Sequence, residues 1–367
     1  MSNKISATTR AALVLVASVV GAGFASGREV LRFFTAFGAW SWVGCAVGAA
    51  CIAGLSIAAG LLANRLGAYD LLSLCRKALP GWGGQAAAGV YAVMLAVTAG
   101  AMLSAMGELA ALSLPIVPAY QVGFVLSLLV AALLTQRGLG ALAAVGGWLI
   151  PACCVLYALL IRNPSLPAEP IATPPGAWRT LPLGFAYAAM NTALGCGVML
   201  EGGRGQSKRR LVQSGALAGG LLLVMLLAAN AVMLPHAAAL SGEPLPMVRL
   251  ARSLGAPGYW MCIAVLSLAV MTTLVALLRA LRQMIAQAVP GKWSLPLAIA
   301  PPLLAALVGF EAIVGRVYPL LGVVCTLLFL AILLKPLTPA AAPRASSARA
   351  FAPSGKCHTR AAHRPPR

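Results

Sequence analysis

Acidic residues are almost missing from this chain. It is 367 residues long with seven Asp and Glu in all, and charged residues of both signs make up 9%. A water-soluble domain carries charge on about a quarter of its residues, so this shortage excludes a soluble globular protein. Histidine is scarce too, at three residues; none falls in mid-span, which excludes a histidine proton relay. No Cys-x-x-Cys, His-Glu-x-x-His or Gly-x-Ser-x-Gly occurs, and no pair of aspartates lies at membrane depth. The spacings that mark a zinc centre, a disulfide framework or a hydrolytic nucleophile are therefore lacking. The chain reads as no enzyme and calls for no cofactor or resident metal. Six of the nine cysteines (Cys45, Cys51, Cys153, Cys154, Cys196 and Cys325) sit inside apolar runs, where cysteine acts as a small hydrophobe. Cys357, His358 and His363 share a basic tail that reads as unstructured rather than as a metal site.

What is abundant is apolar length. Hydrophobic residues make up 60% of the chain and the mean hydropathy is +0.90. They come in runs of about 20, the length needed to cross a bilayer. The runs predict an all-α integral membrane protein of about ten transmembrane helices, near 11–36, 39–64, 84–112, 117–135, 139–161, 180–201, 210–234, 258–280, 295–310 and 313–334. Basic amphipathic stretches at 65–79 and 236–253 read as short connecting helices. A transmembrane unit thus covers 1–335, and 336–367, rich in Pro, Ala, Ser and Arg, reads as a disordered basic tail.

The net charge of +20 suggests nucleic acid only until its distribution is examined. Basic residues cluster between apolar runs and in the tail, the pattern of cytoplasmic loops on an anionic inner leaflet. With ten spans and a cytoplasmic N-terminus, the inside segments hold thirteen Lys and Arg before the tail and the outside segments seven. That asymmetry places both termini in the cytoplasm. Lys4, Arg10 and the apolar run Ala11–Val20 have the look of a signal peptide, but apolar character resumes through Val30–Val43.

The first span contains its own interruption, Gly21-Ala22-Gly23-Phe24-Ala25-Ser26-Gly27. Each glycine costs a helix interior about 1 kcal/mol relative to alanine. Ser26-Gly27-Arg28-Glu29 then reads as a capping box, with Glu29 reaching back and Arg32 as its helical partner. Two half-helices with an unwound joint are predicted, and unwound backbone at that depth is tolerated only inside protein or along a polar cavity. The positive end of the second half-helix favours an anionic group there. In the second span, Gly44, Gly48 and Gly54 read as close-packing positions.

A second interruption is expected at Tyr187–Gly197 in the sixth span, where Asn191, Thr192, Gly195 and Gly197 lie near mid-membrane. Breaks in the first and sixth of ten spans predict a five-plus-five inverted repeat, roughly 11–161 and 180–334, with a binding site between the halves. Glu108, roughly 15 Å from the centre of the third span, reads as a proton-coupling or vestibule residue. Glu201 is expected to pair with Arg204, and Glu311 reads as an outside residue near Arg316.

Val20-Gly21-Ala22-Gly23-Phe24-Ala25-Ser26-Gly27-Arg28-Glu29, with Tyr187-x-x-x-Asn191, resembles the bacterial YkvI family of membrane proteins, which looks like a branch of the amino acid–polyamine–organocation superfamily with the LeuT-type fold. Arg28 stands where an uncharged polar residue such as Gln is expected. The resemblance implies a bacterial inner-membrane secondary transporter that works by alternating access. A small solute, an amino acid or related carboxylate, would be held by the backbone of Gly21–Gly27 and by Tyr187 and Asn191. A coupling sodium ion would sit at Thr272 and Thr273, facing carbonyls near Val20–Gly23. A non-transporting sensor on the same scaffold, or less readily a membrane-embedded enzyme, is the alternative.

Overall fold

The computed structural model describes residues 7–79, 81–136, 140–163 and 168–334; the tail expected to be disordered lies outside them. Every regular element among the described residues is a helix. They are α1 (Ala7–Val19), α2 (Ala22–Ala25), α3 (Arg28–Phe33), α4 (Ser41–Leu66), α5 (Leu71–Ala78), α6 (Trp82–Ser113), α7 (Ala119–Gln136), α8 (Gly140–Ile161), α9 (Thr180–Gly202), α10 (Lys208–Met233), α11 (Ala237–Leu240), α12 (Pro246–Ala251), α13 (Gly255–Ala286), α14 (Ser294–Ala306), α15 (Phe310–Ala312) and α16 (Tyr318–Leu334). A π-helical turn at Ile313–Val317 joins the last two.

Local chemistry sets the ends of these helices. Gly67 closes α4 in the left-handed conformation (φ 60°). Asp70 caps α5, its Oδ1 accepting from the Ser73 amide at 2.8 Å. The hydroxyl of Ser207 caps α10 by accepting from the Arg210 amide at 3.4 Å. The predicted connecting stretch 65–79 becomes α5, and 236–253 breaks into α11, α12 and short 3-10 turns.

Among the described residues, six stretches are long and apolar enough to cross a membrane: Thr35–Leu66, Trp82–Ser113, Ala119–Gln136, Lys208–Leu240, Pro246–Ala286 and Phe310–Leu334. Thr8–Val19, Trp148–Ile161 and Ser294–Ala306 are shorter apolar helices. The surface agrees with a bilayer setting. All seven tryptophans are exposed, from 39% at Trp42 to 82% at Trp82. All but Trp148 stand within a few residues of a helix start, as interfacial aromatic anchors do. Leu126, Leu129, Leu133, Leu320 and Leu327 are exposed along helix faces, where lipid tails replace water.

Inside, α4 lies against α9 and α10, α9 against α16, α6 against α7, α13 and α14, and α1 against α8, α9 and α10. Small residues make these approaches close. A Cβ at Gly44 would come within 2.1 Å of the Thr180 hydroxyl, and one at Gly184 within 3.1 Å of the Gly44 carbonyl. Gly54, by contrast, faces open space, so the packing role expected of it is not observed. A buried polar triad ties the segment after α3 to two helices. Asn230 of α10 bonds the Thr35 hydroxyl at 2.9 Å through its Oδ1, and its Nδ2 donates to Ser41 at 2.9 Å.

Candidate functional site

The first helical segment is interrupted twice inside the protein. α1 stops at Val19, Gly21 is extended (φ −92°, ψ −166°), α2 makes a single turn, and Gly27 turns left-handed (φ 80°) before α3 begins. Ala22 to Val30 are all buried. The positive φ at Gly27 suits a residue with no Cβ, and a Cβ there would also lie 2.7 Å from the Met233 sulfur. The free carbonyl of Ser26 accepts from the Met247 amide of α12 at 3.0 Å. Ser26 caps in part: its hydroxyl accepts from the Arg28 amide at 3.3 Å while donating to the Gly23 carbonyl at 3.1 Å.

Glu29 does not complete the capping box. Its carboxylate folds back onto the joint, where a Cβ added to Gly23 would fall 1.9 Å from Oε1. It is 5% exposed, Oε2 has no hydrogen-bond partner, and Asn191 of α9 is the side chain that reaches it. The phenols of Tyr187 and Tyr318, both fully buried and both without a recorded partner, lie within electrostatic reach of it. Arg32 is exposed and does not pair with it. Among the described residues the ion pairs are Arg28–Glu311 and Arg249–Glu243. Glu311 therefore pairs with Arg28, and Arg204 stacks on Tyr69 at 5.0 Å rather than reaching Glu201.

The expected interruption of the sixth span is corrected: α9 runs unbroken from Thr180 to Gly202. Asn191 bonds within its own helix, donating Nδ2 to the Tyr187 carbonyl one turn back at 3.0 Å. Gly195 is a contact rather than a joint, since a Cβ there would lie 2.4 Å from the Ser18 hydroxyl of α1. Tyr187 and Asn191 nonetheless face the broken first segment, with the Tyr187 ring 5.4 Å from Phe33 and 5.1 Å from Phe34. Phe24 meets Tyr157 of α8 at 6.5 Å.

The two threonines of α13 part company. The Thr273 hydroxyl sits against Gly21, 3.1 Å from where a Cβ would be. The Thr272 hydroxyl is spent on the Leu268 and Ala269 carbonyls of its own helix at 2.9 and 3.0 Å. Glu108 lies away from the joint. It shares the lining of a cavity of about 690 Å³ with Arg28, Arg32, Glu311 and Arg316. Arg28 stands between this cavity and the core: Nη2 meets Glu311 Oε1 at 2.6 Å, and Nη1 donates to the carbonyls of Ser241 at 3.0 Å and Glu243 at 2.7 Å. A smaller cavity of about 230 Å³, lined by Arg10, Ser56, Gln206 and Ser214 among others, opens between α1, α4, α9 and α10.

Of the residues named from the sequence, the structure places Tyr187, Asn191 and Thr273 around the joint, and it adds Glu29 and Tyr318, which the sequence did not single out for it. No family model matches the chain. It is similar to the uncharacterized membrane protein YkvI of Bacillus subtilis (strain 168), 23% identical over 335 residues, which cover 88% of this chain and 94% of that protein. Composition, helical architecture and this relative together make the chain a helical membrane protein.

Proposed function

We propose that the chain is a secondary transporter of a small solute, an amino acid or related carboxylate, working by alternating access. The observation that carries this reading is the doubly broken first segment. It is held in the protein core beside buried polar groups that the protein leaves open, Glu29 Oε2 and the Tyr187 hydroxyl. Irregular backbone and unsatisfied polar groups at membrane depth are costly, and they are retained where a polar ligand completes them. In this reading α1–α3, α8, α9 and α14 cross the membrane together with the six longer stretches. The chain then has ten crossings in two inverted halves, with both termini in the cytoplasm of a bacterium.

The cavity holding Glu108 is the outward approach to the site, and the Arg28–Glu311 pair closes its floor. Residues 21–27, Tyr187 and Asn191 enclose the solute. Coupling is to sodium or to protons: Thr273 against Gly21 offers a hydroxyl to sodium, and Glu108 stands on the proton route.

The test is thermal stability of the purified protein across a panel of amino acids, with sodium or potassium and at two pH values. A solute at 100 times its Kd stabilises by about 2.7 kcal/mol. A solute whose effect requires sodium should lose that requirement in Thr273→Val and keep it in Thr272→Val. A requirement for acid that vanishes in Glu108→Gln assigns coupling to the cavity instead. If no amino acid shifts the transition and none is accumulated by proteoliposomes, the transporter reading fails and a sensor on this scaffold takes its place.

A further inference from the structure

The sequence places an anion at the joint because a half-helix begins there, yet the chain brings its own anion. α3 is six residues long and its first turn is served by Ser26, whose hydroxyl accepts from the Arg28 amide. The Glu29 carboxylate is thus left over. It makes no recorded bond to a backbone amide, its Oε2 is without a partner, and it is pressed against the backbone of Gly23.

Among the described residues, no positive charge faces it. Arg28, next in the chain, points the other way to Ser241, Glu243 and Glu311. Arg32 on the same helix and Arg316 on the π turn are both exposed and line the cavity. What lies within electrostatic reach of Glu29 is neutral: the Asn191 amide, which hydrogen-bonds it, the Tyr187 phenol from α9, and the Tyr318 phenol from α16, itself beside Thr98 of α6. A carboxylate shut away from water among hydroxyls, with no counter-charge, is an arrangement that a positive group completes. The phenol and amide oxygens supply further hard ligands for such a group.

We infer that Glu29, with Asn191, Tyr187 and Tyr318, forms a cation site at the joint of the first segment. Its occupant is a compact positive charge, delivered either by a coupling cation (a proton or an alkali ion) or by the ammonium group of the solute. The site rests on the transporter reading for its role, but its occupancy is measurable without transport. Thr273 packs on Gly21 and Glu29 on Gly23, and substitution separates the two contributions.

The experiment compares the purified full chain with Glu29→Gln, Glu29→Asp and Thr273→Val by thermal melting. Sodium and potassium are titrated against choline. In choline, alanine is titrated against propionate, and the melting point is followed from acid to alkaline pH. Wild type should show a saturable rise of several degrees in at least one arm. Glu29→Gln should weaken that response by about tenfold or more, the loss expected when a charged partner is removed, and Glu29→Asp should keep part of it. An alkali-ion effect lost in Glu29→Gln and kept in Thr273→Val assigns the charge to a metal cation. An alanine effect that propionate lacks assigns it to the solute, and a pH dependence absent only from Glu29→Gln assigns it to a proton.

Should Glu29→Gln not purify, Tyr187→Phe and Tyr318→Phe take its place, with a smaller loss of severalfold. The inference is overturned if Glu29→Gln matches wild type in every arm, or if wild type responds in none. Proteoliposome uptake separates the two readings. Failed uptake with intact Glu29-dependent binding removes the transporter alone, and uptake that Glu29→Gln leaves unchanged removes the cation site alone.

Discussion

At the scale of single residues, glycines in this chain do different jobs that substitution can separate. Gly27 is both left-handed and hemmed in by Met233 and Met247. Gly27→Ala should lower stability by about 1–3 kcal/mol, seen as a lower melting temperature, whereas Gly54→Ala, which meets nothing within 4 Å, should leave it unchanged or slightly raised. A larger loss at position 54 than at 27 would contradict the account of the joint. The glycine cluster was legible in the sequence because its glycines are followed at once by a serine cap and a new helix start, whereas Gly215, Gly219 and Gly220 sit within an unbroken α10. The task of Glu29 was not. Ser26-Gly27-Arg28-Glu29 reads as a cap from local spacing alone, and the residues that surround the carboxylate lie more than 150 positions away, at Tyr187, Asn191 and Tyr318. The Arg28–Glu311 pair, 283 residues apart, was hidden for the same reason.

At the scale of elements, polar and small residues in mid-helix did not mean what they were expected to mean in α9. Asn191 is satisfied by its own turn and Gly195 by the close approach of Ser18, so the helix has no cause to open. Composition fails to distinguish a joint from a contact because both need small side chains. The joint in the first segment differs by having a left-handed residue and a new helix start immediately after it. Asn230 in α10 shows the opposite case, a lone polar residue that gave no signal and yet links three segments. Asn230→Ala should leave the buried Ser41 hydroxyl without its donor and Thr35 with only its longer bond to the Val30 carbonyl, and cost about 1–3 kcal/mol, measured by melting or denaturant titration. A cost near zero would mean that the triad holds nothing together.

At the scale of the whole molecule, the long apolar runs were readable because crossing a bilayer fixes their length, and α4, α6, α10 and α13 fall where those runs lie. The ends were less readable: α13 extends several residues beyond the predicted 258–280, and the last predicted span opens with a π turn. The positions of the tryptophans yield a test of the bilayer setting. In vesicles of brominated lipid, intrinsic fluorescence should be quenched more by bromines near the head groups than by bromines at the chain ends. Equal quenching at all depths would remove the interfacial band inferred from the exposed indoles.

The attachments of α3 have a mechanical consequence. Its near end is pinned through the Ser26 carbonyl to Met247, and its far side through Arg28 to Ser241, Glu243 and Glu311. The half-helix and the connector from 241 to 251 are therefore one lever rather than two. Gly21 and Gly27 mark where the backbone leaves the helix before it, and the Arg28–Glu311 contact joins that lever to the turn leading into α16. Phe33 and Phe34 at the end of α3 also pack on the Tyr187 ring, so parting the Arg28–Glu311 contact alone leaves α3 held against α9.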